Sequence, residues 1–597
     1  MHCPRACSLA RSWLLISVGA LAGSLLSEPA YAQRPPQLDL PQPQERPRQF
    51  NLPRPQDVFP APAPALPEPP PPEPLPPPAE LLPLQPGAPE LSEPPSGPVP
   101  ERIVVREIRV VGSTVFSAEQ LAAITAPFTN RPIAFSELLQ ARSAITQFYI
   151  DQGYITSGAY IPAEQMIRDG VVTIQVIEGS VESITVSGTT RLNPNYVRSR
   201  LALAAKAPLN RNRLLEALQV LQLDPLIANL SAELSASTRP GNNLLEVRVS
   251  EADSFNTQFG VDNGRSPSVG TLRGRVQFDE GNLLGLGDRI SAAYTLTEGS
   301  DAVDVSYTLP LSPRNTTFSL RYSHGDNDVI EEPFNALGII SRFDVYEFSL
   351  RHPILQTPTE EVALGITASR QETATEVSLN DIGPFPISPG ADEKGRTRVS
   401  ALRFFQEWTQ RSSRYVLAFR SQFSLGLDVL DATIRPDPPD SRFFSWRGQG
   451  QWVRLLAPDT LLLLRGDLQF AGRTLVPLEQ FGLGGQDSVR GYRQDELLTD
   501  NGLFASAEVR LPVLRVPEIE GLLQVAPFVD VGTGWNLSGQ PNPEQQTLVS
   551  VGLGLRWQMG DRLTARFDWG IPLISVDSPN RTLQEQGLYF SLNWSPF

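Results

Sequence analysis

The sequence predicts an all-β fold for its C-terminal half, a 16-stranded transmembrane β-barrel, preceded by two α+β units of order β-α-α-β-β. Three observations carry that prediction. From about residue 254 to residue 597, apolar and polar residues alternate with period two in sixteen stretches separated by turn-like segments. Those 344 residues leave about 21 for each strand and its connection, ample for membrane-crossing strands of about ten residues. Upstream, Glu107-Ile108-Arg109-Val110-Val111-Gly112 returns as Glu182-Ser183-Ile184-Thr185-Val186-Ser187-Gly188, with isoleucine, valine and glycine in register 76 residues apart. Past the first 32 residues, no apolar run is long enough for a spanning helix. A membrane role for this chain therefore requires a closed barrel.

Residues 1–32 read as a secretory signal peptide. Arg5 and Arg11 give a basic start, Trp13 to Leu26 an apolar run, and Ala30-Tyr31-Ala32 a small-x-small cleavage site. The run is interrupted by Ser17, Gly19, Gly23 and Ser24, which favours cleavage over anchoring. Both cysteines, Cys3 and Cys7, fall inside this segment, so the mature chain is expected to hold no thiol, disulfide or cysteine-bound metal. Residues 33–101 form a proline-rich linker expected to be disordered, carrying 26 of the 57 prolines, including Pro69-Pro70-Pro71-Pro72. Proline at this density blocks helix and sheet and favours an extended, solvated chain with no helix of its own. The segment reads as a spacer, with a proline-rich ligand for another protein as the rival.

Composition narrows the function. A net charge of −15 and a pI near 4.9 argue against nucleic acid as a partner. Two lysines, Lys206 and Lys394, stand against 48 arginines, and neither lies in a phosphate-loop context. His324 and His352 are the only histidines past the signal segment, too few for a His-rich metal site. No Gly-x-Ser-x-Gly elbow occurs. The expectation is a protein that is not an enzyme and that uses no cofactor and no metal.

Each repeat unit, residues 102–179 and 180–252, reads as one strand, two helices and two strands. In the first, Ser117 and Gln120 form a capping-box pattern that opens a short helix. Leu138, Ala141, Ile145 and Phe148 share a face of the second helix, and Gly153 suits its C-terminal cap. Val172, Ile174 and Val176 alternate as a half-buried strand that ends at Glu178-Gly179. The second unit repeats the order with Leu214, Ala217, Leu218 and Leu221 on a helix and Leu245, Val247 and Val249 on a strand.

The barrel, residues 254–597, starts near Phe255 and ends in the alternation Leu588, Phe590, Leu592, Trp594 against Tyr589, Ser591, Asn593 and Ser595. Connections after even-numbered strands are mostly short, as at Ala457-Pro458-Asp459 and Met559-Gly560-Asp561. Many after odd-numbered strands are long, as at 324–342 and 371–396, although the first two are short. Short turns on one rim and long loops on the other are expected of an outer-membrane barrel. Between the eleventh and twelfth strands, the loop 471–501 carries Gly484-Gly485-Gln486-Asp487-Ser488-Val489-Arg490-Gly491-Tyr492. The thirteenth strand carries Phe528-Val529-Asp530-Val531-Gly532.

Two such units directly before a strand-rich region resemble a pair of POTRA domains, the periplasmic modules of the Omp85 superfamily. Val489-Arg490-Gly491-Tyr492 resembles the tetrad of that superfamily's sixth extracellular loop. Phe528, Asp530 and Gly532 resemble its Phe-x-Asp-x-Gly element on the inner barrel wall. Within Omp85, the two units, the proline-rich N-terminus, the sixteen strands and Asn282-Leu283-Leu284-Gly285-Leu286-Gly287-Asp288 resemble the TpsB transporters of two-partner secretion, the ShlB/FhaC/HecB type. The resemblance covers residues 102–597. It implies that the loop folds into the lumen and that Arg490 pairs with Asp530; Glu508 on the twelfth strand is a weaker candidate second acceptor. A guanidinium suits that task because it grips a carboxylate with a two-point fork that lysine cannot form.

What the resemblance implies is an outer-membrane pore that captures an unfolded TpsA-like exoprotein through periplasmic POTRA domains and secretes it through the barrel without ATP. Other expected partners are outer-membrane lipid and the barrel-assembly machinery, the latter engaged through the C-terminal strand. The alternatives are an Omp85-type outer-membrane insertase or translocase and, further off, a passive porin.

Overall fold

The computed structural model describes residues 71, 78–82 and 102–596, apart from 164, 166–168, 538 and 578–580. The expected signal segment and the rest of the proline-rich segment lie outside the described residues. Within that segment the expectation of no helix needs one correction. Pro78–Leu81 forms a single helical turn, α1. Ala79-Glu80-Leu81-Leu82 is a proline-free run, and Pro78 stands at the first helical position, where a missing N–H costs nothing.

The first unit runs β1 (Ile103–Val105), β2 (Glu107–Val111), α2 (Ala118–Thr125), β3 (Arg131–Ile133), α3 (Phe135–Asp151), β4 (Gly158–Tyr160) and β5 (Val171–Ile177). Its sheet has the order β2-β5-β4, with β2 parallel and β4 antiparallel to β5, and β1 and β3 form a separate two-stranded ladder. The second unit runs β6 (Ser180–Ser187), α4 (Pro194–Ala204), α5 (Arg211–Gln222), β7 (Ile227–Ala236) and β8 (Asn242–Glu251), with sheet order β6-β8-β7. Ser117 accepts from the Gln120 amide, and Gln120 returns the bond to the Ser117 N–H, closing the capping box. The buried face of α3 is Leu138, Ala141, Ile145 and Tyr149, so Tyr149 rather than Phe148 completes it. A step of four residues from Ile145 follows the helical stripe, and Phe148 packs at its margin.

The repeated glycines have a common cause. Gly112 and Gly188 both adopt positive φ at a strand end, and a Cβ on Gly188 would come within 2.2 Å of the Val249 carbonyl oxygen. Just past each glycine, a glutamate from the unit's last strand region caps the turn. Glu178 accepts from the Thr114 amide and Glu251 from the amides of Thr190, Arg191 and Leu192.

The sixteen principal strands of the C-terminal half close into an antiparallel barrel. Strand alternation sorts its two faces: on the thirteenth barrel strand (Gly521–Trp535), Val529 and Val531 face out while Phe528 and Asp530 face the lumen. Aromatic pairs stack on the outer face, as with Trp408 on Phe419 at 5.7 Å. Several hairpins continue well past the expected strand ends. The fifth strand runs to Asp328 and the sixth begins at Ile339, while the seventh ends at Val377 and the eighth begins at Arg396. The stretches read as long loops are therefore partly ladder, because the backbone goes on pairing beyond the point where the apolar alternation fades.

The barrel closes between its first strand (Phe255–Asp262) and its sixteenth (Leu588–Trp594) through four residue pairs, against eleven between the ninth (Tyr415–Leu427) and tenth (Phe444–Ala457). Trp594 stacks on Phe259 across this short seam at 5.5 Å, and the Asn263 side-chain amide donates to the Leu588 carbonyl. The second unit is tied to the turn after the second strand. The Asn193 amide donates to the Gly285 carbonyl, Arg191 pairs with Glu280 at 2.6 Å, and Gly287 leaves space for the Tyr196 ring.

Candidate functional site

The loop between the eleventh (Thr460–Ala471) and twelfth (Asn501–Val516) strands folds back inside the barrel. Its two legs pair as a short ladder, Phe481–Leu483 with Leu497–Thr499, and its tip spans the residues between. Phe481, Leu483, Val489, Tyr492 and Leu497 form an apolar cluster with Phe504 and Leu548 of the wall. That cluster holds the loop by apolar contact; its polar groups are met by Arg490 and by further bonds to the wall.

Arg490 is 0 % exposed, and so is Asp530. The guanidinium grips the carboxylate as a fork: Nε donates to Oδ2 at 2.7 Å and Nη2 to Oδ1 at 2.9 Å. The Arg490 backbone amide adds a third donation to Oδ2 at 3.2 Å. Its remaining nitrogen, Nη1, donates to Glu508 Oε2 at 2.6 Å, so Glu508, expected as the weaker acceptor, has the shorter contact. The plane lies over the Phe528 ring, 3.3 Å from its centroid, which gives Phe528 a direct part in the site. Ser506 donates to Asp530 Oδ1 at 2.6 Å.

Wall glycines form the seat. A Cβ on Gly532 would lie 2.8 Å from the Leu483 side chain and 2.9 Å from that of Val489. A Cβ on Gly570, on the fifteenth strand (Leu563–Pro572), would lie 2.6 Å from the Gly491 backbone nitrogen. Gly491 itself has φ +103°, which a side chain would strain. The Gly491 amide donates to the Tyr589 hydroxyl at 3.1 Å, and that hydroxyl donates to the Tyr492 carbonyl. The Tyr492 hydroxyl lies 2.9 Å from the carbonyl oxygens of both Val549 and Ile574. Beyond the tetrad, Arg493 pairs with Glu331 at 2.8 Å, and the Gln494 amide donates to Gln584.

Sequence reasoning overlooked several residues here. Asp568 lies 3.6 Å from Arg490 and 2.8 Å from Arg556, and Arg556 also reaches Glu508 at 3.0 Å. Asp568-Trp569-Gly570 repeats the Asp-x-Gly spacing of Asp530-Val531-Gly532 on another inward-facing strand, and that repetition was available as a signal. Tyr589 occupies a polar-in position of the last strand, which gives its direction but no partner. Arg490 thus sits among three carboxylates, Asp530, Glu508 and Asp568, while Arg510, Arg556 and Arg566 balance the cluster from the wall. The arrangement has a ligating character: carboxylates and guanidiniums of the wall surround one fully buried cation of the loop.

A closed sixteen-stranded barrel, two α+β units at its N-terminal side and a luminal loop seated on the wall define an outer-membrane transporter of the Omp85 superfamily, with its preceding units in the periplasm. Residues 241–557 match the haemolysin secretion/activation protein ShlB/FhaC/HecB family, and residues 103–179 match the ShlB-type POTRA domain. The chain belongs to that family. It is similar to the outer membrane transporter CdiB of Dickeya dadantii (24 % identity; 72 % of this chain and 76 % of the relative). It is also similar to the heme/hemopexin transporter protein HuxB of Haemophilus influenzae (22 % identity; 73 % and 77 %). A more distant match is the outer membrane protein assembly factor BamA of Nitratidesulfovibrio vulgaris (24 % identity; 74 % and 56 %). Among solved structures, CdiB from Escherichia coli shares the fold with a TM-score of 0.63 at 21 % identity, over 86 % of this chain and 93 % of that one.

Proposed function

We propose that this chain is the outer-membrane member of a two-partner secretion pair, capturing one unfolded exoprotein of the filamentous adhesin or haemolysin type and passing it through the barrel. The observation that carries the reading is a pair of sheet-edged periplasmic units placed before a barrel whose lumen is filled by a loop held on a buried arginine. A TpsA-like client enters as an extended chain. The ten-residue edge strand β7 offers unpaired backbone groups that such a chain can extend by β-augmentation. Val489-Arg490-Gly491-Tyr492 acts as the latch, and the client crosses after Arg490 shifts from Asp530. The free energy comes from the client folding outside the cell, since the sequence holds no nucleotide-binding motif. Residues 102–179 and 180–252 are the two capture units, and 254–597 is the pore. Assembly of the barrel itself runs through the C-terminal strand and the barrel-assembly machinery.

Deletion of the chain tests the reading. Loss of one large secreted protein from the medium, with the remaining outer-membrane proteins at normal levels, is the expected result. A general loss of outer-membrane proteins would overturn it in favour of an insertase. No secretion defect at all would favour a passive porin, a role that has no need of client-binding units.

A further inference from the structure

The short turn α1 is seated on the second unit, not on the first unit that follows it in sequence. Leu81 and Leu82 are 2 % and 3 % exposed and belong to the same apolar cluster as Leu214, Leu218 and Leu230. The turn packs against α5 and β7, whereas the nineteen residues 83–101 separate it from the first unit. A four-residue helix has no stability of its own, so its order comes from the groove that receives it. β7 is the edge strand of its sheet, with α5 beside it, and this is the edge an incoming extended chain would use. We propose that the α5–β7 groove is a docking site for short apolar segments with adjacent leucines, and that Pro78–Leu82 is its resting occupant in cis. A leucine-bearing segment of the exported chain displaces it; that last step rests on the secretion reading above.

Three features make the segment a suitable occupant. Leu81 and Leu82 supply the anchors, while Glu80 stays exposed to solvent. In the sequence, prolines recur at 76, 77, 78, 83 and 86, and a proline-rich chain has less conformational freedom to lose on docking. Tethering gives the segment an effective concentration of roughly the millimolar range, so two leucines are enough to hold the groove against stray peptides. A client segment that also extends β7 by backbone pairing makes contacts that the one-turn helix lacks, and so competes successfully.

The test uses the full chain, whose mature part has no cysteine. Glu80→Cys and Glu216→Cys, both at exposed positions, take spin labels that report the distance from the turn to α5. A single narrow distance distribution is expected, broadening when Leu81→Asp and Leu82→Asp are added or when a peptide of residues 76–86 is supplied in excess. A distribution already broad in the otherwise unaltered chain would overturn the proposal. The fluorescent 76–86 peptide should bind the double leucine variant at least about tenfold more tightly than the unaltered chain. Equal affinity would overturn cis occupancy. Leu81→Ala/Leu82→Ala, which introduces no charge, should give the same preference in weaker form. If the leucine variants secrete their client at the normal rate and with normal selectivity, the displacement step is wrong, while secretion itself stands.

Discussion

Replacing Arg490 by alanine removes the one cation that touches Asp530, Glu508 and Asp568 from the loop side. Asp530 would lose the fork from Nε and Nη2, keeping only Ser506 and the loop's own backbone amide. Glu508 would retain Arg510 and Arg556. Breaking a buried pair by removing one partner costs about 3–5 kcal/mol, because the remaining charge stays buried and uncompensated. The lost contact with Phe528 adds about 1 kcal/mol. The resulting shift of about 4–6 kcal/mol changes the balance between seated and unseated loop by roughly a thousandfold or more, at about 1.4 kcal/mol per factor of ten. The apolar cluster and the Arg493–Glu331 pair oppose full release, so the loop should sample open states without the barrel coming apart. The expected outcome is a barrel that still resists unfolding in detergent until heated, shows frequent channel openings in a planar bilayer, and secretes at least about tenfold less client. Asp530→Asn should resemble it, and the double variant should fall well short of the sum, since both changes remove the same contact. Normal secretion by Arg490→Ala, or strict additivity in the double variant, would refute the latch.

Other expectations follow from the same geometry. Gly570→Ala puts a methyl 2.6 Å from the Gly491 nitrogen, a backbone atom that cannot yield cheaply, so protease should cut the loop in this variant and spare it in the unaltered chain. Gly188→Ala, with φ at +86° and a 2.2 Å approach to the Val249 oxygen, should destabilise the second unit by about 2 kcal/mol or more, read by amide hydrogen exchange in β6 and β8. Trp594→Ala opens the four-pair seam, and the folded barrel should convert to its unfolded form at a lower temperature in detergent. Burial tends to raise the Glu251 carboxyl, but donation from the amides of Leu192, Thr190 and Arg191 outweighs it and holds the group below the usual glutamate range. The unfolded chain therefore takes up the proton first. This contribution is complete above the ordinary glutamate value and disappears as pH falls through the depressed one. Protection of the second unit's amides relative to their intrinsic exchange rate should fall on acidification below about pH 4, and Glu251→Gln should flatten that dependence.

What the sequence determined by itself was periodic. Period-two alternation located the barrel strands, because a strand buried on one face and wet on the other must alternate. The 76-residue repeat located the two units, because the same strand-end glycine is needed wherever a Cβ would strike the last strand's backbone, as at Gly112 and Gly188. The motif around Arg490 stood out because glycine, arginine and an inward Asp-x-Gly are each chemically particular. Tertiary structure alone decided which groups from distant strands meet. Asp568 and Tyr589 were legible as inward-facing positions, but their contact with the loop depends on strand register and barrel curvature, which no local pattern encodes. The same holds for Glu508, whose 2.6 Å contact follows from the twelfth strand's stagger against the thirteenth. It holds again for Leu81 and Leu82, where a proline-rich composition concealed two leucines, because burial belongs to the groove that receives a side chain as much as to the side chain itself.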